Sequence, residues 1–267
     1  MNHVLSIGYR LALCAILLFI ALPIFVVVLA SVSPTAAVSL QPSEWTFAWY
    51  GKLWVARWID PFYLSVKVAA LVAILSGALG FLAAYAVAYE KCPGHNFVMP
   101  FLLSPLSVPQ IVKGVAIVLF LSSAGLYQLL GWPGLIAGHV VLTLPFTTRM
   151  IATSMFNFNH SLDRAARNLG ASRWQRVRFV LFPLVKPGLF SGMTLAFIIS
   201  FNDVPLSLFL VRPGQTTLPI TVINFFEYSL DPILAAVNVS SLIFILAAIV
   251  AFEKLGGFSA QIHGGSK

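Results

Sequence analysis

Charge is what this chain has least of. Its 267 residues hold eight Asp and Glu and sixteen Lys and Arg, 9% of the whole against 59% hydrophobic residues. A water-soluble domain carries about a quarter charged residues. Polar groups are too few here to cover a surface facing water, and the class left is an all-α polytopic membrane protein. Cysteine is scarce as well: Cys14 falls in an apolar run and Cys92 in a loop, a pair with neither disulfide nor metal-ligand spacing. No G-x-x-x-x-G-K-[ST] loop occurs, because Gly51-Lys52 is followed by Leu53 and Thr46 stands where the first glycine belongs. ATP is therefore not bound by that route. H-E-x-x-H, cysteine clusters and a nucleophile elbow are missing too, so intramembrane hydrolysis has no residues to perform it and the chain is not expected to be an enzyme. A net charge of +8 would point to nucleic acid in a soluble protein. Topology accounts for it here, and no nucleic-acid partner is expected.

What is present is a series of apolar runs. Those long enough to cross a bilayer, about 20 residues each, cover 11–32, 62–88, 97–121, 135–155, 188–210 and 233–252. The first exceeds a signal-peptide core of about 7–15 residues and five more follow, so it reads as a retained helix rather than a leader cleaved after Ala30. Six crossings put both termini on one side. That side holds Arg10, Lys91, Arg149, Arg164, Arg167, Arg173, Arg176, Arg178, Lys186, Lys254 and Lys267, whereas the other holds Lys52, Arg57 and Arg212. Retention of basic loops predicts that both termini face the cytoplasm. The first opposite loop, 33–61, carries Trp45, Trp49, Trp54 and Trp58 at two four-residue spacings. A helix there would put each pair on one face, either as an interfacial anchor at headgroup level or as a stacking platform for a ligand.

The Arg-rich segment 159–187 lies between the fourth and fifth runs and cannot sit in lipid. Ser161 is placed as an N-cap with Asp163 in the first turn, near the positive end of the helix dipole. Leu162, Ala165, Ala166 and Leu169 form a stripe at helical spacing, bordered by Arg164, Arg167 and Asn168. Gly170 follows where a left-handed residue ends a helix. A second helix over 172–181 carries Trp174, Val177, Val180 and Leu181, and Pro183 and Pro187 bracket a turn into the fifth run. Such a segment either docks against another protein or lies on anionic lipid. The close-set alanines and glycine are superfluous for lipid.

Ala165-Ala166, Gly170, Val180 and Pro183 resemble the "EAA" motif of the transmembrane subunits of binding-protein-dependent ABC importers of the type I fold. Arg164 replaces the usual Glu, Val180 the usual Ile, and Phe182 the usual Leu before Pro. The stretches 105–114 and 200–219 and the aromatics around Trp45–Tyr50 are similar to permeases of the spermidine/putrescine type. The resemblance implies six transmembrane helices in one permease domain over 1–267, in a bacterial inner membrane. It implies a coupling helix in which Asp163, Arg164, Ala165, Ala166, Leu169, Gly170 and Arg173 contact an ATPase. It implies a cytoplasmic ATPase dimer that binds ATP and Mg, a second permease chain and a periplasmic substrate-binding protein, with no cofactor in this chain. The implied solute is a polyamine or a related amine; 4-aminobutyrate, aminoethylphosphonate or iron(III) are the alternatives. An ATP-independent secondary transporter is the rival class.

Charges inside apolar runs are costly and often functional. Lys113 and Asp203 each lie about 16 residues from the cytoplasmic start of their runs, hence at about the same depth of 24 Å at 1.5 Å per residue. They are expected either to pair or line a shared pathway with Asn202, or to snorkel to the outer interface. Gln110 and Asn224 are further pathway candidates. Pro100, Pro105 and Pro109 in the third run, Pro145 in the fourth and Pro205 in the fifth remove amide donors. They mark either a moving core or plain packing kinks.

Overall fold

The computed structural model describes residues 2–35, 44–90 and 93–256, apart from the side chains of residues 2–8 and 96. Lys91, Cys92, Lys267 and most of the loop before the first tryptophans lie outside the described residues. Within them every regular element is helical: α1 (Asn2–Ser31), α2 (Ala48–Gly51), α3 (Ala56–Ala84), α4 (His95–Leu103), α5 (Gln110–Ser123), α6 (Trp132–Phe156), α7 (His160–Asn168), α8 (Arg173–Arg176), α9 (Phe182–Phe201), α10 (Ser207–Leu210), α11 (Leu218–Tyr228) and α12 (Ile233–Gly256). A π-helical turn, Tyr85–Tyr89, prolongs α3, and another, Val177–Leu181, joins α8 to α9. Among the described residues five helices are long and apolar enough to cross a membrane: Tyr9–Ser31, Ala56–Tyr89, Trp132–Phe156, Arg173–Phe201 and Ile233–Gly256. A sixth crossing exists if Phe97–Ser107 and Gln110–Ser123, bent by 99°, count as one broken span.

That bend corrects the expected third span, a single run over 97–121. Pro105 and Pro109 flank a short 3-10 turn, Ser104–Ser107, and Val108 is extended at φ −96°, ψ 129°. A residue before proline is pushed out of the helical region, so Val108-Pro109 turns the chain. The fifth span also differs from the expected 188–210. Its helix begins at Arg173 and runs through the π turn without the turn expected between Pro183 and Pro187. Pro183 near the start of α9 lacks an N–H, and the widened ladder of the preceding turn accommodates that loss. The helix then stops at Phe201, which leaves Asn202, Asp203 and Pro205 in a turn. No single helix covers the tryptophans either. α2 holds four residues, Trp45 and Trp54 are exposed, and Trp58 belongs to α3.

The chain divides into two compact units, 1–60 with 221–244 and 61–220 with 245–267. In the first, Trp49 Nε1 donates to the Ser33 carbonyl at 2.8 Å and Tyr50 Oη bonds Ser31 Oγ at 2.8 Å. These bonds tie α2 to the end of α1. Trp58 is buried edge-on against Phe225. The second unit holds the close packing. α6 lies against α9 with Ile151, Ala152 and Met155 against Val185 and Leu189, capped by Ala84 and Ala88 of the α3 end. Small residues let these backbones approach. A Cβ on Gly192 would sit 3.2 Å from Thr147 Cα, and one on Gly80 3.2 Å from the Thr148 nitrogen. A second cluster joins Val68 and Val72 of α3, Leu135 and Leu142 of α6, and Leu206 and Leu210.

Candidate functional site

The Arg-rich segment is built as two helices around one glycine. Asn159, not the expected Ser161, caps α7: its Oδ1 accepts the Ser161 N–H at 3.0 Å. Either side chain has the acceptor a cap needs, and the extended backbone at Asn159 (φ −77°, ψ 97°) decides between them. Gly170 has φ +83°, the left-handed conformation that suits glycine. Ser172 then opens α8 with a capping box, accepting from Gln175 N–H while Gln175 Oε1 accepts the Ser172 N–H. Leu162, Ala165 and Leu169 face outward, Ala166 is half-buried, and Leu169 is 89% exposed. Arg164 and Arg167 are exposed beside them.

The other face of the segment is fastened to the permease. Asp163 is turned inward, where its Oδ2 accepts from Arg176 Nη1 at 2.6 Å, both side chains largely buried. Arg173 pairs with Glu90 at 3.0 Å and donates through Nε to Tyr85 Oη at 3.2 Å. Tyr85 in turn donates to Glu90 at 2.5 Å. Beneath these pairs an aromatic ladder runs from Phe81 through Tyr85 and Tyr89 to His160, with Phe158 edge-on. Of the expected docking residues, Arg164, Ala165 and Leu169 are thus outside and free, while Asp163 ties α7 to α8 and Arg173 ties α8 to the end of α3. Glu90, Tyr85, Tyr89 and His160 escaped the sequence reading, which had Arg176 only among the basic residues of the segment. The four-residue spacing of the two tyrosines was the available signal.

The expected pathway residues are brought together only in part. Asp203 is 5% exposed, and its Oδ2 accepts from the Ser207 N–H at 2.9 Å and Ser207 Oγ at 3.0 Å. His139, wholly buried in α6, lies 3.4 Å from the same oxygen and bonds Ser200 Oγ at 2.8 Å and Ser207 Oγ at 2.9 Å. These bonds bolt α6, α9 and α10 together. A polar seam continues along α6, with Thr143 bonded to Ser76 of α3 at 2.7 Å. His139, Ser200 and Ser207 were missed by sequence reasoning; an imidazole inside an apolar run was the signal.

Lys113 does not pair with Asp203. Its Nζ donates to the Pro105 carbonyl at 3.1 Å. The cause is the break itself: Pro109 has no N–H for that carbonyl, and Lys113 supplies a substitute. Gln110 and Lys113 line a cavity of about 460 Å³ at the bend, with Val108, Leu142, Phe146 and Ile199 among its walls. Asn202 is exposed and donates to the Ile198 carbonyl at 3.0 Å, closing α9. Asn224 is exposed on α11.

Residues 76–255 match the family described as "binding-protein-dependent transport system inner membrane component". The putrescine transport system permease protein PotI of Escherichia coli (strain K12) is 27% identical over 242 residues, 88% of this chain and 84% of that protein. The trehalose transport system permease protein SugB of Mycobacterium tuberculosis (strain CDC 1551 / Oshkosh) is 30% identical over 213 residues, 76% of each. A subunit of a bacterial ABC transporter involved in the import of the acidic polysaccharide alginate superposes with a TM-score of 0.75 at 19% identity, over 95% of this chain and 96% of that one. The chain belongs to the binding-protein-dependent transport system inner membrane components, as a multi-pass inner-membrane permease subunit of a type I ABC importer and, like those components, not an enzyme.

Proposed function

We propose that α7 is the coupling helix of this permease and that it seats in a groove of a cytoplasmic ATPase subunit. The single observation that carries this is the outward stripe of Leu162, Ala165 and Leu169, ended by the left-handed Gly170 and clasped from behind by Asp163–Arg176 and Arg173–Glu90. An apolar stripe left bare in water needs a cover, and a clasped helix passes a push on to the spans it is fastened to. In this reading both termini face the cytoplasm, where the basic loops are retained. An ATPase dimer binds ATP and Mg, a second permease chain completes the pathway, and a periplasmic binding protein delivers solute. ATP-driven closure then rocks the spans about a site in the membrane.

The solute is a small amine-bearing compound in the reading favoured by likeness to PotI, whose name gives putrescine. A second reading, a solute carrying an acid as well, such as 4-aminobutyrate or aminoethylphosphonate, is favoured by one observation: a cation, Lys113, lines the cavity at the span break. Iron(III) has less support, since no cluster of three metal-binding side chains exists among the described residues.

The test is uptake into proteoliposomes holding the complete complex, with ATP inside and binding protein outside, beside a Leu169→Asp variant. Leu169 is so exposed that the variant folds normally. ATP-dependent uptake reduced at least tenfold in a fully assembled variant is the expected result. Uptake that needs no ATP and ignores Leu169 would return the secondary transporter.

A further inference from the structure

The cavity at the break of the third span holds a charge that the chain does not neutralise. Lys113 is half-buried, and among the described residues its ammonium has one hydrogen-bond acceptor, the Pro105 carbonyl, which already takes the Val108 N–H at 3.3 Å. Two N–H groups and a full positive charge remain. The acid within electrostatic reach is Asp203. Its carboxylate is engaged by Ser207 twice and flanked by His139, so it supplies no contact. The walls are otherwise apolar, Val108, Leu142, Phe146 and Ile199, with Gln110 the one other polar side chain. An ammonium in such a setting is unfavourable until an anion enters.

The geometry points to this cavity as a subsite for the anionic end, a carboxylate or phosphonate, of the transported solute. The inference rests on the permease reading and deepens it. Lys113 donates to the acid oxygens in a charge-assisted pair, and Gln110 offers an amide beside it. A solute with only ammonium groups is repelled here, so the amine is one end of a zwitterion rather than part of a polycation. A phospholipid headgroup has the same anionic chemistry, and the test separates the two sources.

The experiment compares 4-aminobutyrate, aminoethylphosphonate and putrescine on the assembled complex. 4-Aminobutyrate and putrescine share a four-carbon chain and one amine and differ in carboxylate against amine at the other end. Thermal unfolding of the complex is followed in phosphatidylcholine nanodiscs, alongside ATP-driven uptake into vesicles of the same lipid. A shift with one of the acids but not with putrescine is expected, reduced at least tenfold in sensitivity by Lys113→Met and largely kept by Lys113→Arg. Putrescine acting as well as the acids, or no acid giving a Lys113-dependent shift, overturns the proposal. So does a Lys113-dependent stabilisation by phosphatidylglycerol that the acids leave unchanged, since the headgroup would then be the occupant. Uptake indifferent to ATP marks the failure of the permease reading instead.

Discussion

At the scale of residues, His139 and Gly170 show how differently two single positions hold this protein. His139 has both ring nitrogens engaged in the interior, to Ser200 on one side and to Ser207 and the Asp203 carboxylate on the other. His139→Ala removes these partners together and opens a void beside a buried acid. Each buried polar group left unpaired costs about 1–3 kcal/mol, so denaturant titration of the solubilised chain should show a loss at the top of that range or above it. Asp203→Asn keeps an acceptor for the Ser207 N–H and should cost about 1–2 kcal/mol. Equal effects of the two would mean that His139 is not the centre of the cluster. Gly170 is the opposite case. No atom lies within 4 Å of where its Cβ would be, so Gly170→Ala meets only the strain of φ +83°. That strain is about 1–2 kcal/mol, localised to the α7–α8 turn, and the same titration should show a shift no larger than that of Asp203→Asn.

Among elements, the contact of α6 with α9 depends on glycines more than on large side chains. Gly188 and Gly192 stand four apart on α9, the spacing by which membrane helices approach closely. A Cβ on Gly192 would meet the Thr147 backbone at 3.2 Å and one on Gly188 the Met150 carbonyl at 3.0 Å. Backbone cannot rotate aside as a side chain can, so Gly192→Leu should destabilise by about 1–3 kcal/mol or more. Its readout is the yield of folded chain on size exclusion, against Gly51→Leu, which has open space around it. The other element-scale contact is the clasp within the Arg-rich segment. Arg176→Asp sets two acids against each other across a largely buried gap of 2.6 Å. Transport should fall at least tenfold while ATP hydrolysis by the complex continues, the signature of lost transmission. Exchanging both, Asp163→Arg with Arg176→Asp, should recover most of the transport. A double variant no better than the single one would show that the pair does not transmit.

For the whole molecule, the orientation is the property with most at stake. Six crossings require both termini on one side, and reporters fused to each terminus should both score cytoplasmic. If the bend of 99° instead makes the third apolar run a re-entrant loop, five crossings remain and the termini score on opposite sides. That result would move the Arg-rich segment relative to one terminus and undo its docking role.

Membrane class, helical character and the Gly170 turn were legible in the sequence because each depends on a local quantity. Hydropathy sums over about 20 neighbouring residues, and a helix end needs only a cap and a left-handed residue within one turn. The order of the stripe, Leu162, Ala165 and Leu169, is likewise a matter of spacing along one helix. What the tertiary structure alone decided is which polar groups meet. His139 finds Ser200 and Ser207 at separations of 61 and 68 residues, and Ser76 finds Thr143 at 67. Depth along a helix put Lys113 and Asp203 level, but depth says nothing of azimuth, and each turned to a different partner. The third run failed for a related reason: a sum of hydropathy has no direction, so it could not register the right-angle turn at Val108-Pro109. Asp163, expected on the docking face by the resemblance, was drawn inward because Arg176 lies across the glycine turn, an encounter that exists only once the two helices have folded back on each other.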